Sequence, residues 1–572
     1  MKTDVLIIGG GPAASTVGSL LRRYNPGLDV TIIEREEFPR DHVGESQLPV
    51  ITSILDEMGV WDKVEAANFP IKIGSTYRWG VNRDLWNINF LTEDLDNTPR
   101  PAKLEGQRTR VAFHVDRSIY DKILFEHAES MGCHTFLQTK AVSIRSEDGV
   151  VKDVEVSRTH PDGSQEEFTI EARYYVDATG SSALLRRSLN IDVQAPTKLR
   201  NVAFYDYWQD AEWAETIGSG GTRVQIMSIE WGWLWFIPIT HTRTSIGLVT
   251  HSEFYKNSGK KPEELYLEAI AQEPRISKLV AKATREEKLK STKDWSYVAD
   301  KVADENWFLV GDACGFADPI LSAGLTLAHV SGKKAAYSIL ELERGELSPD
   351  WVRSEYNIRH RLNITQHHRF AEFWYSGNKC FTDLKDYCSE IATDAGIALG
   401  PEAAFQWMSQ GGFTAGNLPD IRSTGWGVAG MTAITGRVRG ARDTWRVGQN
   451  NVFKLDLEGA RKETVALYDK GRISEISSYK RGDKILPLST INEMLVSALM
   501  KETEAVCLNE RFIAYFRKAT NLPIIPPHLV LFALEGLEAL VIDGWVKAEY
   551  DPAEPLINFE TPTMVFEAAE LI

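Results

Sequence analysis

Short, mainly apolar β-branched runs stand near the amino terminus, Val5-Leu6-Ile7-Ile8 and Val30-Thr31-Ile32-Ile33, with a helix-compatible stretch between them. Runs of this length bounded by turn residues predict strands buried on both faces, as in a parallel sheet. From Ala141 to Asp177 the pattern changes to alternation, split at Glu147-Asp148-Gly149 and Pro161-Asp162-Gly163, which predicts a three-stranded meander. Residues 115–131 predict a helix that opens at Asp116-Arg117, carries Ile123, Leu124, Ala128 and Met131 on one face and stops at Gly132. Further strands are predicted over 199–250, and Trp307-Phe308-Leu309-Val310-Gly311-Asp312-Ala313 predicts a strand entering a turn and a helix. Beyond about residue 345 the pattern is largely helical, while the glycine-rich stretch 396–448 is left without elements. Thr490-Ile491-Asn492-Glu493 has capping-box spacing, and a last helix is predicted from Pro526-Pro527, giving way at Gly544 to a strand over 545–550.

The turn after the first strand changes the picture from architecture to chemistry. Gly9-Gly10-Gly11-Pro12-Ala13-Ala14 is a GxGxxA string between a strand and a helix, and the second strand ends in Glu34-Arg35. That order and spacing form a dinucleotide-binding unit. Gly9 permits the tight turn, Gly11 lets backbone approach a pyrophosphate, and Ala14 allows close helix packing. The helix amino terminus offers free N–H groups, and Glu34 accepts from a ribose. The Phe38–Ser46 stretch is polar and proline-broken, a loop at the carboxyl end of a strand, where such sheets bind ligands.

Composition narrows the rest. A chain of 572 residues suggests two to four domains and has ample core. Five cysteines without a CxxC pair argue against a disulfide framework or zinc knuckle, and a reducing cytoplasm fits best. No metal-ligand pattern, internal repeat, secretory leader or membrane-length apolar stretch is expected. The formal charge of −16 opposes a nucleic-acid partner. A winged-helix-like end is a topological option, but residues 480–572 hold eight Lys plus Arg against fourteen Asp plus Glu.

GGGPAAS at 9–15, Glu34-Arg35, the Arg117 helix start, Asp177-Ala178-Thr179-Gly180 and Gly311-Asp312-Ala313 together resemble the FAD-dependent aromatic hydroxylase-like flavoproteins. Three more stretches resemble the flavin-dependent halogenases within that superfamily: Trp233-Leu234-Trp235-Phe236-Ile237-Pro238, the loop Phe38-Pro39-Arg40 with Val43-Gly44-Glu45-Ser46, and Lys72 in Pro70-Ile71-Lys72-Ile73-Gly74-Ser75. The resemblance implies FAD held by Gly9, Gly11, Ala14, Glu34, Arg35, Glu45, Ser46, Arg117, Gly311 and Asp312. It implies halide beside the loop Ser322, Ala323 and Gly324, and a flavin/substrate partition made by Trp233, Trp235 and Pro238. Lys72 is the implied catalytic residue. Tryptophan-specific halogenases carry glutamate where this chain has Leu321, so the resemblance points to the branch acting on phenols, pyrroles or carrier-tethered aromatics.

The resemblance also implies a reaction. Reduced FAD and O2 form a C4a-hydroperoxide, chloride or bromide attacks it to give hypohalous acid, and lysine directs halogen onto an electron-rich phenol, pyrrole or indole. Only one dinucleotide fingerprint is present, so a separate flavin reductase is the expected partner. The expected architecture is α/β (α+β): a Rossmann-type FAD-binding core over 1–345, an inserted β-rich substrate module at about 70–110 and 190–290, and a mainly helical region over 346–572 that covers the substrate site. An aromatic monooxygenase or alkene reductase explains the FAD motifs but leaves Lys72 and the tryptophan motif without a role. A catalytically silent flavoprotein interaction module is the alternative outside enzymes.

Overall fold

The computed structural model describes residues 1–79, 84–89, 112–376 apart from 196, 198, 217–219 and 294, and 445–557 apart from 483, 521–524 and 526. Two compact units emerge: Met1–Tyr77 with Phe90–Ala371 and Tyr468–Ile473, and Arg78–Asn89 with Glu372–Leu467 and Ser474–Ile572.

The first unit is built on two large sheets, with a small three-stranded one of Val193–Gln194, Tyr297–Ala299 and Gly315–Phe316. In one, the strands His134–Phe136, Val30–Ile33, Lys2–Ile8 and Gln165–Asp177 lie side by side and parallel, and Trp307–Leu309 adds to the last of them. The register Ile8↔Ile33 and Ile8↔Asp177 aligns their carboxyl ends, so Gly9, Glu34 and Ala178 emerge along one rim. Residues Val5 to Ile8 are at most 2 % exposed, which is why this strand reads as a continuous apolar run. The meander Thr139–Glu147, Val150–Thr159 and Gln165–Asp177 forms as expected, with Gly149 and Gly163 at positive φ in its turns. The helices Pro12–Tyr24 and Ala323–Arg344 pack together, and a buried chain ties them to the helix Arg117–Ser130. Thr16 Oγ1 and Tyr120 Oη each lie 2.8 Å from a ring nitrogen of His329.

The second sheet carries strands in the order Thr284–Arg285, Asn201–Gln209, Arg243–His251, Gly232–Pro238, Gly221–Ile229 and Ile71–Arg78. Ala112–Phe113 pairs with the last strand, placing Ala112 opposite Lys72. The strand Ile71–Arg78 therefore shares one surface with Ala112–Phe113 and with strands from 201 onward, which local periodicity does not encode.

In the second unit, the helices Thr490–Leu499, Ala505–Thr520 and Pro527–Ile542 share a core with Leu495, Leu508, Phe512, Leu537 and Trp545. The closing strand is Val546–Glu549, and it pairs antiparallel with Val452–Leu455. At the first of these helices Ser489, not Thr490, occupies the N-cap and makes no side-chain cap bond, so the four-residue spacing began one position late. Pro526 and the stretch 396–444 lie outside the described residues.

Candidate active site

A cavity of about 690 Å³ opens beyond the aligned strand ends. Gly9 has φ +108, and a Cβ there would overlap the Ala178 carbonyl, so the turn accepts glycine alone. A Cβ on Gly11 would instead find nothing nearer than Arg40 Nη2 at 3.8 Å, leaving backbone open to the cavity at the start of a 13-residue helix. Glu34 accepts from the Gly10 N–H at 2.7 Å and the Glu36 N–H at 3.0 Å, with Arg40 3.5 Å away. Arg117 pairs in a fork with Asp121 at 2.6 and 2.9 Å, and its Nη1 donates to the Val43 and Gly44 carbonyls. One guanidinium thus fixes the 38–46 loop to the helix start.

Several carboxyls line this cavity, and burial shifts two of them upward, Glu45 and Asp312. Burial pushes Glu45 up to about 7, although it accepts from Tyr207 Oη at 3.1 Å, and burial pushes Asp312 up to about 6. The burial that raises both disfavours their anionic forms, which lessens repulsion of an anionic pyrophosphate. An open glycine cradle, a helix amino terminus, an acidic strand end and a cavity of this size fit the diphosphate and ribose of FAD.

The far wall is aromatic. Trp233, Trp235 and Ile237 alternate along one strand and all line the cavity; the two tryptophan rings lie 6.0 Å apart. Trp235 donates to Ser245 Oγ at 3.1 Å and lies flat across Gly247, where a Cβ would collide with the indole. Opposite, Ser322 has φ +56 and opens the helix Ala323–Arg344, so the N–H groups of its first turn are unclaimed by the helix ladder. Ser322, Ala323 and Gly324 line the cavity. Behind Ser322 sits Lys72, 1 % exposed, with Nζ 3.3 Å from Ser322 Oγ. Burial pushes its ammonium down to about 7.

The profile of the family described as "FAD binding domain" matches residues 2–368. A 1H-pyrrole-2-carbonyl-[peptidyl-carrier protein] chlorinase from Pseudomonas fluorescens is 32% identical over 393 residues, covering 66% of this chain and 85% of that protein. The chain belongs to the flavin-dependent halogenases. A tryptophan 2-halogenase from Chondromyces crocatus is 33% identical over 351 residues, covering 60% of this chain and 62% of that one. Among solved structures, the myxobacterial chondrochloren halogenase CndH matches 71% of this halogenase and 92% of its own length at 27% identity and TM-score 0.60. The flavin-dependent halogenase CmlS shares the fold over 98% of both chains, with TM-score 0.71 and 24% identity.

The cavity of this halogenase gathers Gly9, Gly11, Glu34, Arg35, Glu45, Ser46, Arg117, Gly311 and Asp312 with Trp233, Trp235 and the 322–324 turn. Ala14 is fully buried within its helix and Pro238 ends its strand; neither lines the cavity, and Ile237 takes the wall position expected for Pro238. Sequence reasoning missed Asp121 and Tyr207, which hold Arg117 and Glu45. It also missed Arg243, which joins Asp41 at 3.3 Å, Asp116 at 2.9 Å and Glu286 at 2.8 Å. An acid four positions after Arg117 was the available signal for Asp121; the other partners come from distant strands.

Gly324→Val tests the turn. A Cβ at Gly324 would stand 2.9 Å from Phe316 Cε2, so valine must displace a cavity-lining ring as well as crowd the turn. Halide titration of turnover is expected to show a rise of about tenfold or more in the halide requirement, equivalent to ~1.4 kcal/mol, with FAD retained. Unchanged halide dependence would remove the turn from halide binding.

Proposed function

We propose that this halogenase places chlorine or bromine on a phenol or pyrrole, free or carrier-tethered, with Lys72 directing the halogen. The observation that carries this reading is Lys72 itself: a fully buried lysine whose Nζ lies 3.3 Å from Ser322, on the rim of the cofactor cavity. A lysine is seldom buried without a task.

Bound in reduced form, FAD supplies with O2 the two-electron oxidant that turns halide into an electrophile. The chain's own residues do the rest. Gly9, Gly11, Glu34, Arg35, Glu45, Ser46, Arg117, Gly311 and Asp312 hold the cofactor, and the 322–324 turn receives the halide through backbone N–H groups. Trp233 and Trp235 keep the aromatic off the cofactor, so halide is oxidised before the ring can be hydroxylated. Lys72, brought to about 7 by burial, is both a proton donor and a usable amine near neutral pH.

The pyrrole-carrier chlorinase supports the pyrrole and tethered options, and Leu321 in the turn supports a substrate other than free tryptophan. Reduced FAD comes from a separate reductase, since the chain carries one dinucleotide fingerprint. No described helix is long and apolar enough to cross a membrane. Three described cysteines are free thiols, which supports a reducing, cytoplasmic setting. The test supplies reduced FAD, O2 and each halide with phenols, pyrroles and indoles, free and as pantetheine thioesters, and reads products by mass spectrometry. Halogenated phenol or pyrrole is the expected product. Hydroxylated product formed equally without halide would overturn the reading in favour of a monooxygenase.

A further inference from the structure

His114 is one of three buried histidines in the first unit, with His360 and His368, whose two ring nitrogens are both left open, and it is the one that neighbours Lys72. Its side chain is fully buried, and neither ring nitrogen has a hydrogen-bond partner among the described residues. Leaving both polar sites of a buried ring open forfeits the hydrogen bonds it makes in water, so it calls for a reason. Its main chain is well used: the N–H donates to the Pro70 carbonyl at 3.0 Å.

Its position supplies the reason. Ala112 lies opposite Lys72 in the antiparallel pair, so His114, two residues on, shares that face and is the diagonal neighbour of the lysine. On its other side His114 is bridged to Ser46, which lines the cofactor cavity and whose buried hydroxyl also lacks a partner. Lys72 meets Ser322, another of the cavity-lining serines. A base and an amine therefore stand together behind Ser46 and Ser322. Of the elements against His114, the 71–78 strand brings Lys72 as the ionisable group acting on it, and the 46 bridge brings an uncharged serine. Burial first and the lysine charge second hold the imidazole well below its ordinary value, neutral and able to accept.

We propose that His114 is a further catalytic residue, a base that accepts the phenol O–H or pyrrole N–H hydrogen of the substrate while Lys72 serves the halogen. The assignment rests on the halogenase reading above and adds the group of the substrate that is recognised. Written for a phenol, the Lys72 ammonium gives a proton to the hydroxyl oxygen of hypohalous acid. The O–X bond breaks with its electron pair on oxygen, water leaves, and the ring carbon forms the C–X bond. The phenol O–H bond breaks as its proton passes to His114, leaving a halodienone. The ring C–H proton then goes to the Lys72 amine, and the His114 imidazolium returns a proton to the carbonyl oxygen. Hypohalous acid and phenol become halophenol and water, and both side chains are restored.

The test uses the FAD-loaded protein in its oxidised state, with 4-fluorophenol and 4-fluoroanisole as probes read by 19F NMR. The phenol is expected to bind at least tenfold more tightly than its methyl ether, with a 19F shift displaced toward phenolate. In His114→Gln, and in His114→Asn should the first variant lose FAD, that preference and displacement are expected to vanish. In turnover the same variants are expected to lose halogenation of phenols at least tenfold. Equal binding of phenol and ether by the wild-type protein would overturn the proposal, as would a preference that survives in a folded His114 variant. Either result would leave halogenase activity on the aromatic panel intact, so failure here is distinct from failure of the proposed function.

Discussion

Lys72→Met is expected to cut halogenated product by about 10³-fold or more while FAD stays bound and reduced FAD is still oxidised. Methionine keeps a flexible chain of similar length and loses the amine, so packing behind Ser322 is largely preserved. The same variant is expected to be more thermally stable than the wild type, because it removes a buried charge. Burial depresses the lysine from 10.5 to about 7. Below pH 7 the folded protein carries a poorly solvated ammonium, and between 7 and 10.5 the unfolded chain binds more protons, so wild-type stability from this group rises with pH across that window. The melting-temperature advantage of Lys72→Met should therefore be fullest below pH 7 and fade toward pH 10.5. A lysine that merely braced the fold would show the reverse, with loss of stability accompanying loss of activity.

Gly9→Ala is expected to abolish FAD retention. A Cβ at this position would lie 2.8 Å from the Ala178 carbonyl carbon and closer still to its oxygen, in a residue with φ +108. The strain is on the order of 1–3 kcal/mol, and relief requires parting two parallel strands whose ends form the cofactor rim. Flavin absorbance after gel filtration measures the result; a folded Gly9→Ala protein that kept its FAD would contradict the cradle.

These two residues differ in how far the sequence declares them. Gly9 sits in a local string, with the strand before it, the helix after it and Glu34 at the next strand end all within about 25 residues, and only the Ala178 carbonyl that bars a Cβ comes from a distant strand. The meander was legible for the same reason, since Gly149 and Gly163 mark turns between adjacent strands. Lys72 is isolated along the chain, and only resemblance singled it out; its meaning comes from Ser322, 250 positions away. His114 had no local signal at all, because its two open nitrogens and its place beside Lys72 arise from strand pairing rather than from neighbouring residues. Gly247 was equally silent. It is needed because Trp235 on the adjacent strand lies across it, and cross-strand packing of that kind leaves a single glycine as its only mark.

The central claim is that this chain spends its flavin-derived oxidant on halide and passes halogen to an aromatic by way of Lys72. A single-turnover experiment with reduced FAD, O2 and a phenol or pyrrole, run with and without bromide on wild-type and Lys72→Met protein, measures it by quantifying brominated and hydroxylated product. Brominated product from the wild type only when bromide is present, and almost none from Lys72→Met despite normal flavin oxidation, is the predicted result. Hydroxylated product in equal amount with or without bromide, or near-normal bromination by Lys72→Met, would contradict it.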